Sequence, residues 1–502
     1  MEQKRIIGCL PINFNDLKAA VIGSGVGGLA VAIRLAAKGY RVTVFEQDKR
    51  VGGKLNELRM DAFRFDTGPS LFTLPNLVDE LFAIAGKEGP NLFKYRKLEN
   101  VTRYFYPDGK VLNSWANPER FAQEAEIVLN EPTENILSYL KECEDLYRLT
   151  SNMFIYSPFP TWKGFTSNEA KEIGKNLKKL KAFETMHRVN SRSFTQEQTV
   201  QLFNRFATYN GSNPYKAPGT LTIIPHLEHN VGAYFPEKGM YSIAQSMQEL
   251  AVNLGVKFEL GCPVQRIDYK NGKILGLTAN GASDSYDIVV NNTDIFNAYP
   301  KLMPKRKLSW FYKRQKPSSS ALIFYWGVKG NYPKLDLHNI LFSSDYPGEF
   351  KILDGKNIST DPTVYIFISS KLVSADAPEG HENWFVMVNA PEDCGQNWDE
   401  IVKITRESII KKIKTDLGID IEPNILCEDI LTPPIIEQKT GSYRGALYGI
   451  SSNNKFAAFS RHPNKSRSIE GLYFVGGSVH PGGGIPLCLA SAKIVDNLIN
   501  PV

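Results

Sequence analysis

The sequence predicts an α/β protein: a parallel-sheet, Rossmann-like domain assembled from both ends of the chain, with an α+β domain inserted into it. Three observations predict this. A short apolar strand at Lys18–Ile22 runs into a glycine turn and then a helix. The same order of strand, glycine turn and helix returns between Gly471 and Leu498. Between these ends lie two long segments of different patterning. With 502 residues, 42% hydrophobic and 22% charged, the chain is long enough for two or three domains and a large core.

The first turn reads Gly23-Ser24-Gly25-Val26-Gly27-Gly28 and opens a helical pattern from Leu29 to Lys38. Gly39 ends that helix, and Tyr40–Phe45 forms a second strand that closes on Glu46. Gly23 permits the tight turn, Gly25 and Gly27 keep the backbone open to a pyrophosphate, and Gly28 lets helix and strand pack closely. The helix N-terminus offers unpaired N–H groups and partial positive charge. Glu46 at the strand tip suits ribose hydroxyls and would repel a 2′-phosphate. A lone glycine turn is a weak signal, but this order and spacing of five parts specify a dinucleotide site.

Val51-Gly52-Gly53-Lys54 and Asp66-Thr67-Gly68-Pro69-Ser70 follow. Nicotinamide-binding domains have no fixed need for a second glycine pair here. Flavoproteins of the amine-oxidase type do carry one, with a cation next to it, which selects FAD. At the far end, Gly471–Val475 reads as a strand ending in Gly476-Gly477, before Ser478-Val479-His480-Pro481-Gly482-Gly483-Gly484-Ile485-Pro486. Leu487–Leu498 reads as a helix with Pro486 in its first turn. Gly477, Gly484 and Ile485 are therefore placed at the flavin ring, where the helix N-terminus would stabilise the anion formed on reduction.

Together these segments resemble the bacterial phytoene-desaturase (carotenoid desaturase) family. Asn213–Gly219 and Phe235–Met240 fit the same pattern, so the resemblance covers nearly the whole chain. It implies an amine-oxidase/glutathione-reductase type of FAD domain and FAD-dependent dehydrogenation of a long polyene. It also implies that Val264 meets adenine through its backbone, and that Gly53, Lys54, Gly68, Pro69 and Ser70 belong to the cofactor site. Lys54 stands where many relatives carry Arg, keeping the charge without the bidentate fork. Within the family the chain looks most like hydroxycarotenoid 3,4-desaturases acting on γ-carotene-type or acyclic substrates. Phytoene desaturase, a flavin-dependent carotenoid isomerase or retinol saturase, and amine oxidase are the alternatives.

The cofactor domain is expected to be discontinuous, at 1–90, 236–299 and 431–502. The segments 91–235 and 300–430 are expected to build a substrate and membrane-docking domain. Ser320–Trp326 and Thr363–Ile368 are strand-like, and suit a sheet lining a hydrocarbon tunnel or an ordinary buried sheet equally. Met153, Phe154, Ile155, Tyr156, Phe159, Trp162 and Phe165, followed by Lys171, Lys175, Lys178, Lys179 and Lys181, suit the headgroup region of an anionic bilayer. No apolar run approaches a membrane span, and residues 1–17 read as a short extension and not a signal peptide. The expected place is thus the cytoplasmic side of the cell membrane, held peripherally. The six scattered cysteines form no disulfide framework or zinc pattern, so no metal is expected. The net charge of +6 is mild, and no nucleic-acid partner is expected.

One complete dinucleotide fingerprint leaves oxygen or a membrane quinone as electron acceptor. A hydride would leave an allylic carbon for the flavin, and a neighbouring proton would follow from the polyene cation. Candidate proton acceptors are His226 and Glu228 (with His229 beside them) and His480. No Ser nucleophile elbow or metalloprotease motif is present.

Overall fold

The computed structural model describes residues 17–87, 93–158, 171, 174–454 and 461–500. The N-terminal extension lies outside these residues, as do Phe159, Trp162 and Phe165 of the aromatic segment.

Five parallel strands form the cofactor sheet, in the order Leu472–Phe474, Ile288–Asn291, Lys18–Ile22, Arg41–Glu46 and Lys257–Leu260. Ala19, Ala20, Val21 and Val44 are wholly buried because both faces of the sheet are covered. Helices Val26–Ala37, Ser242–Asn253 and Ile485–Leu498 pack on one face through Leu29, Ile33, Met247 and Val495. On the other, a three-stranded antiparallel sheet of Val264–Lys270, Lys273–Ala279 and Ala282–Ser285 closes over Ala20, Ile22 and Phe474, together with helix Ile295–Leu302.

Both glycine-turn helices start earlier than their apolar pattern suggests. The first begins at Val26, so Gly27 and Gly28 lie inside it. The last begins at Ile485, with Pro486 in the first turn, where its missing N–H costs nothing.

A seven-stranded sheet holds the second half of the molecule, in the order Ile425–Leu431, Ser320–Lys329, His381–Ala390, Val364–Phe367, His338–Leu341, Asn100–Phe105 and Val111–Trp115. The last two strands come from the first insertion, and Asn100–Phe105 runs parallel to His338–Leu341. Side chains alternate between faces. Leu322, Phe324, Trp326, Trp384, Val386 and Ile366 pack beneath helix Trp398–Leu417, while Ile323, Tyr325, Phe385, Met387 and Tyr365 turn towards an internal cavity. One face of the sheet is thus ordinary core and the other lines the cavity. Helices Pro118–Leu129, Thr133–Ser151, Met186–Ser193 and Glu197–Arg205 form a further core around Phe121, Tyr139 and Phe203.

Candidate functional site

The first turn has the strained and crowded geometry that glycine allows. Gly23 has φ +91°, and a Cβ on Gly28 would meet the Gly23 carbonyl oxygen at 2.0 Å. Gly28 therefore lies behind the cavity wall, while Gly23, Gly25 and Gly27 line it. Gly25 caps helix Val26–Ala37 without any side-chain hydrogen bond, which leaves the helix N–H groups for a ligand. The second glycine pair closes over the first: Gly52 N donates to Ser24 O at 3.0 Å, and a Cβ on Gly53 would come within 3.4 Å of Gly25 Cα. A side chain at 53 would fill the cradle, and glycine leaves it open.

Glu46 is buried at the end of its strand. Its Oε2 accepts from the Ser24 N–H and hydroxyl, both at 2.7 Å, and its Oε1 accepts from Asp48 N at 3.0 Å. Cys262 N donates to the Glu46 carbonyl at 2.8 Å, which brings Cys262, Pro263 and Val264 to the same end of the cavity.

The two ends of the chain meet partly through Asn292 and Asp294, which the sequence reading did not single out. Asn292, just beyond strand Ile288–Asn291, donates from Nδ2 to Gly23 O at 3.3 Å. A Cβ on Gly476 would meet its Oδ1 at 2.6 Å. Lys54 donates to the carbonyls of Ala446 at 3.2 Å and Leu447 at 2.7 Å. Burial lowers its ammonium, opposed by the nearby Asp294 carboxylate. Asp294 itself is raised by burial, against hydrogen bonds from the N–H groups of Phe296 and Tyr443. Gly477, Gly484 and Ile485 line the cavity with Gly68, Pro69 and Ser70. Gly484, φ +103° with nothing within 4 Å of an added Cβ, caps the last helix, again without a side-chain hydrogen bond.

The cavity measures about 900 Å³ and continues past both turns into the second half of the molecule. Of the three proton-acceptor candidates it takes in Glu228 alone. His226 lies against Tyr147 in a tilted ring contact, centroids 4.9 Å apart, and receives Asn230 Nδ2 at its Nδ1. His480 bonds through Nε2 to the Ser157 carbonyl at 3.0 Å, and burial pushes it down to about 4. His338 was not foreseen: it lines the cavity, pairs through Nδ1 with the Tyr365 hydroxyl at 2.8 Å, and is pushed down to about 3 by burial. Tyr365 in turn donates to Ser70 Oγ at 2.6 Å. Among the described residues no group of His, Cys, Asp and Glu could hold a metal ion.

A dinucleotide cradle that opens directly into a largely apolar cavity defines a flavin-dependent oxidoreductase. The profile of flavin containing amine oxidoreductases matches residues 26–495, and the chain belongs to that family, with FAD as its cofactor. It is 46% identical over 486 residues to a 1-hydroxycarotenoid 3,4-desaturase of Flavobacterium sp. (strain P99-3), covering 96% of this chain and 99% of that one. It is 32% identical to a 4,4′-diapolycopene oxygenase of Methylomonas sp., over 97% and 99% of the two chains. Among solved structures, an oxidoreductase from Methanosarcina mazei superposes with a TM-score of 0.62 at 15% identity, over 95% of this chain and 99% of that one, a likeness of fold.

Proposed function

We propose that the chain is an FAD-dependent desaturase of hydroxylated carotenoids, introducing the 3,4 double bond into a 1-hydroxycarotenoid. The observation that carries this reading is the 46% identity, across 96% of the chain, to a relative of that name. The cavity supports it, since a wall of Ile323, Phe385, Met387 and similar side chains suits a long hydrocarbon.

Bound FAD supplies a hydride acceptor, and the residues of this chain supply position and dryness. The uncapped helix at Gly25 and the glycines around it would hold the pyrophosphate, Glu46 a ribose and Val264 the adenine. Gly53 and Lys54 would border the middle of the cofactor, with Gly68, Pro69 and Ser70. Gly477, Gly484 and Ile485 would face the ring, where the last helix directs its partial positive charge. Hydrocarbon walls exclude water from the reacting carbons. A polyene cation is acidic enough to lose its proton without a strong base. Oxygen or a membrane quinone is the proposed electron acceptor.

A water-insoluble substrate favours docking at the cytoplasmic face of the membrane. No helix among the described residues is long and apolar enough to cross it. Of the expected docking segment, Lys171, Lys175 and Lys179 are exposed, whereas Ile155 is buried. A second surface supports docking more directly. Lys305, Arg306, Lys307, Lys313, Arg314 and Lys316 are all exposed around Trp310 and Phe311, which are 69% and 51% exposed. Aromatic side chains within a cluster of cations fit an anionic headgroup layer.

Expression in cells that accumulate either phytoene or acyclic 1-hydroxycarotenoids, with the pigments identified by absorbance and mass, tests the reading. New double bonds in the hydroxylated pigment are expected. Conversion of phytoene to lycopene would sink the assignment.

A further inference from the structure

Beyond the glycine turns, much of the cavity wall is hydrocarbon, and among its polar places is a buried cluster of opposite charges. Arg205, Tyr209 and Glu228 all line the cavity, and Arg205 and Glu228 are almost wholly buried. Arg205 Nη2 donates to the hydroxyls of Tyr104 at 2.6 Å and Tyr209 at 3.2 Å. The Tyr209 hydroxyl donates to Glu228 Oε2 at 2.6 Å. The second carboxylate oxygen, Oε1, lies 3.8 Å from Arg205 Nη2 and accepts no hydrogen bond. A buried carboxylate oxygen left without a donor is costly, and a wall that served only to hold a hydrocarbon would have no use for it.

We propose that Arg205, Tyr209 and Glu228 form a subsite for the alcohol group of the substrate, whose O–H donates to Glu228 Oε1. This assignment rests on the desaturase reading above and names the residues that choose the substrate. The chemistry of the open position selects an alcohol. A substrate carboxylate would face Glu228, and a substrate ammonium would face Arg205. A hydrocarbon end would leave Oε1 stranded. A neutral hydroxyl completes the cluster without disturbing its charge balance. Holding the carbinol carbon here also sets register, because the bond to be oxidised begins two carbons further along the chain. Glu228 is thereby assigned to the substrate's oxygen and not to the proton that leaves its carbon.

The test uses the flavin-loaded, full-length enzyme and two substrates, an acyclic 1-hydroxycarotenoid and the same polyene without its hydroxyl. Turnover is followed by absorbance and mass for wild type, Glu228→Gln and Glu228→Leu, with the flavin-to-protein ratio reporting the fold. Wild type is expected to prefer the alcohol by at least about tenfold in kcat/KM, since a site built to pair a hydroxyl discriminates against its absence. Glu228→Gln should shrink that preference by roughly tenfold, mainly by raising KM for the alcohol, as a charge-assisted hydrogen bond becomes a neutral one. Glu228→Leu should abolish the preference, with the larger fall in kcat/KM on the alcohol. An unchanged preference in Glu228→Gln overturns the subsite, as does an equal loss on both substrates or a wild type without preference. A wild type that desaturates neither substrate overturns the desaturase reading itself.

Discussion

Asn292 donates from its side chain to the carbonyl of Gly23 across 3.3 Å, tying the end of strand Ile288–Asn291 to the opening turn of the chain. Its Oδ1 lies where a Cβ on Gly27 or Gly476 would fall, at 2.8 and 2.6 Å. One amide thus sets the spacing between the two glycine turns. Asn292→Leu is expected to cost about 1–3 kcal/mol through the lost bond and the unpaired carbonyl. It should also lower the flavin content of the purified protein, read as the ratio of visible to ultraviolet absorbance.

Gly28→Ala is expected to be more severe. The new Cβ would sit 2.0 Å from the Gly23 carbonyl oxygen, and because that atom is backbone, the turn itself must move. Protein free of flavin, with a lowered melting temperature that added FAD does not restore, is the expected result. A variant that retains flavin at the wild-type ratio would contradict the close packing described here.

Glu46→Ala removes the acceptor of two hydrogen bonds from Ser24 and one from Asp48. Hydrogen bonds to a charged acceptor contribute about 1.5–3 kcal/mol each, so FAD affinity should fall at least about tenfold. Titration of apoprotein with FAD, followed by flavin fluorescence, measures the change.

Acid should destabilise the protein as pH falls below 6.5. Burial pushes His229 and His338 down to about 3, and His462 and His480 to about 4, from an ordinary value of 6.5. Below 6.5 the unfolded chain takes up protons that the folded chain refuses, so stability rises with pH in this window. The full contribution is present above pH 6.5 and is lost as pH falls towards 4, at about 1.4 kcal/mol per pH unit for each histidine. Glu349, pushed up to about 7 by burial from 4.5, opposes this with one proton between those values. Glu228, Asp294, Asp376 and Asp416, also raised by burial, oppose it in the same sense, while His187 and His226, lowered by burial, add to the histidine side. Thermal unfolding between pH 6.5 and 5 should show a falling midpoint, and a flat profile there would refute the dominance of the histidines.

Trp310→Ala with Phe311→Ala is expected to weaken sedimentation with vesicles of phosphatidylglycerol several-fold while leaving flavin content unchanged. Binding of wild type should also weaken as salt is raised, because the six surrounding cations act through a screened field. Equal binding by wild type and the double variant would move the docking face elsewhere.

The cofactor half was legible because its turns depend on local chemistry. Gly23, Gly25, Gly28 and Glu46 carry their reasons within a short stretch of chain, and the open Gly484 cap follows from Pro486 and the helix behind it. The second half was legible only as strand-like runs. Whether Ile323 or Leu322 faces the cavity depends on the register with His381–Ala390, and no local pattern sets that where both faces are apolar. The joining of Asn100–Phe105 to that sheet, the role of Asn292, and the clustering of Arg205 with Glu228 all depend on contacts between distant segments. His226 and Glu228 sit two residues apart, and only the geometry separates a histidine packed on Tyr147 from a cavity-facing carboxylate.

The cofactor sheet has a consequence for how the protein is made. Its strands are gathered from residues 18–46, 257–260, 288–291 and 472–474, and the Leu472–Phe474 strand seals one edge. A ribosome therefore releases the opening strands long before their last neighbour exists. In that interval Ile288–Asn291 presents an unpaired edge, the kind of surface that templates aggregation. If the turn after Leu472–Phe474 holds part of the flavin, as proposed, flavin cannot rescue the chain during this time. Cofactor capture then acts as an inspection of finished molecules, and yield in a cell should respond to chaperone supply before it responds to riboflavin.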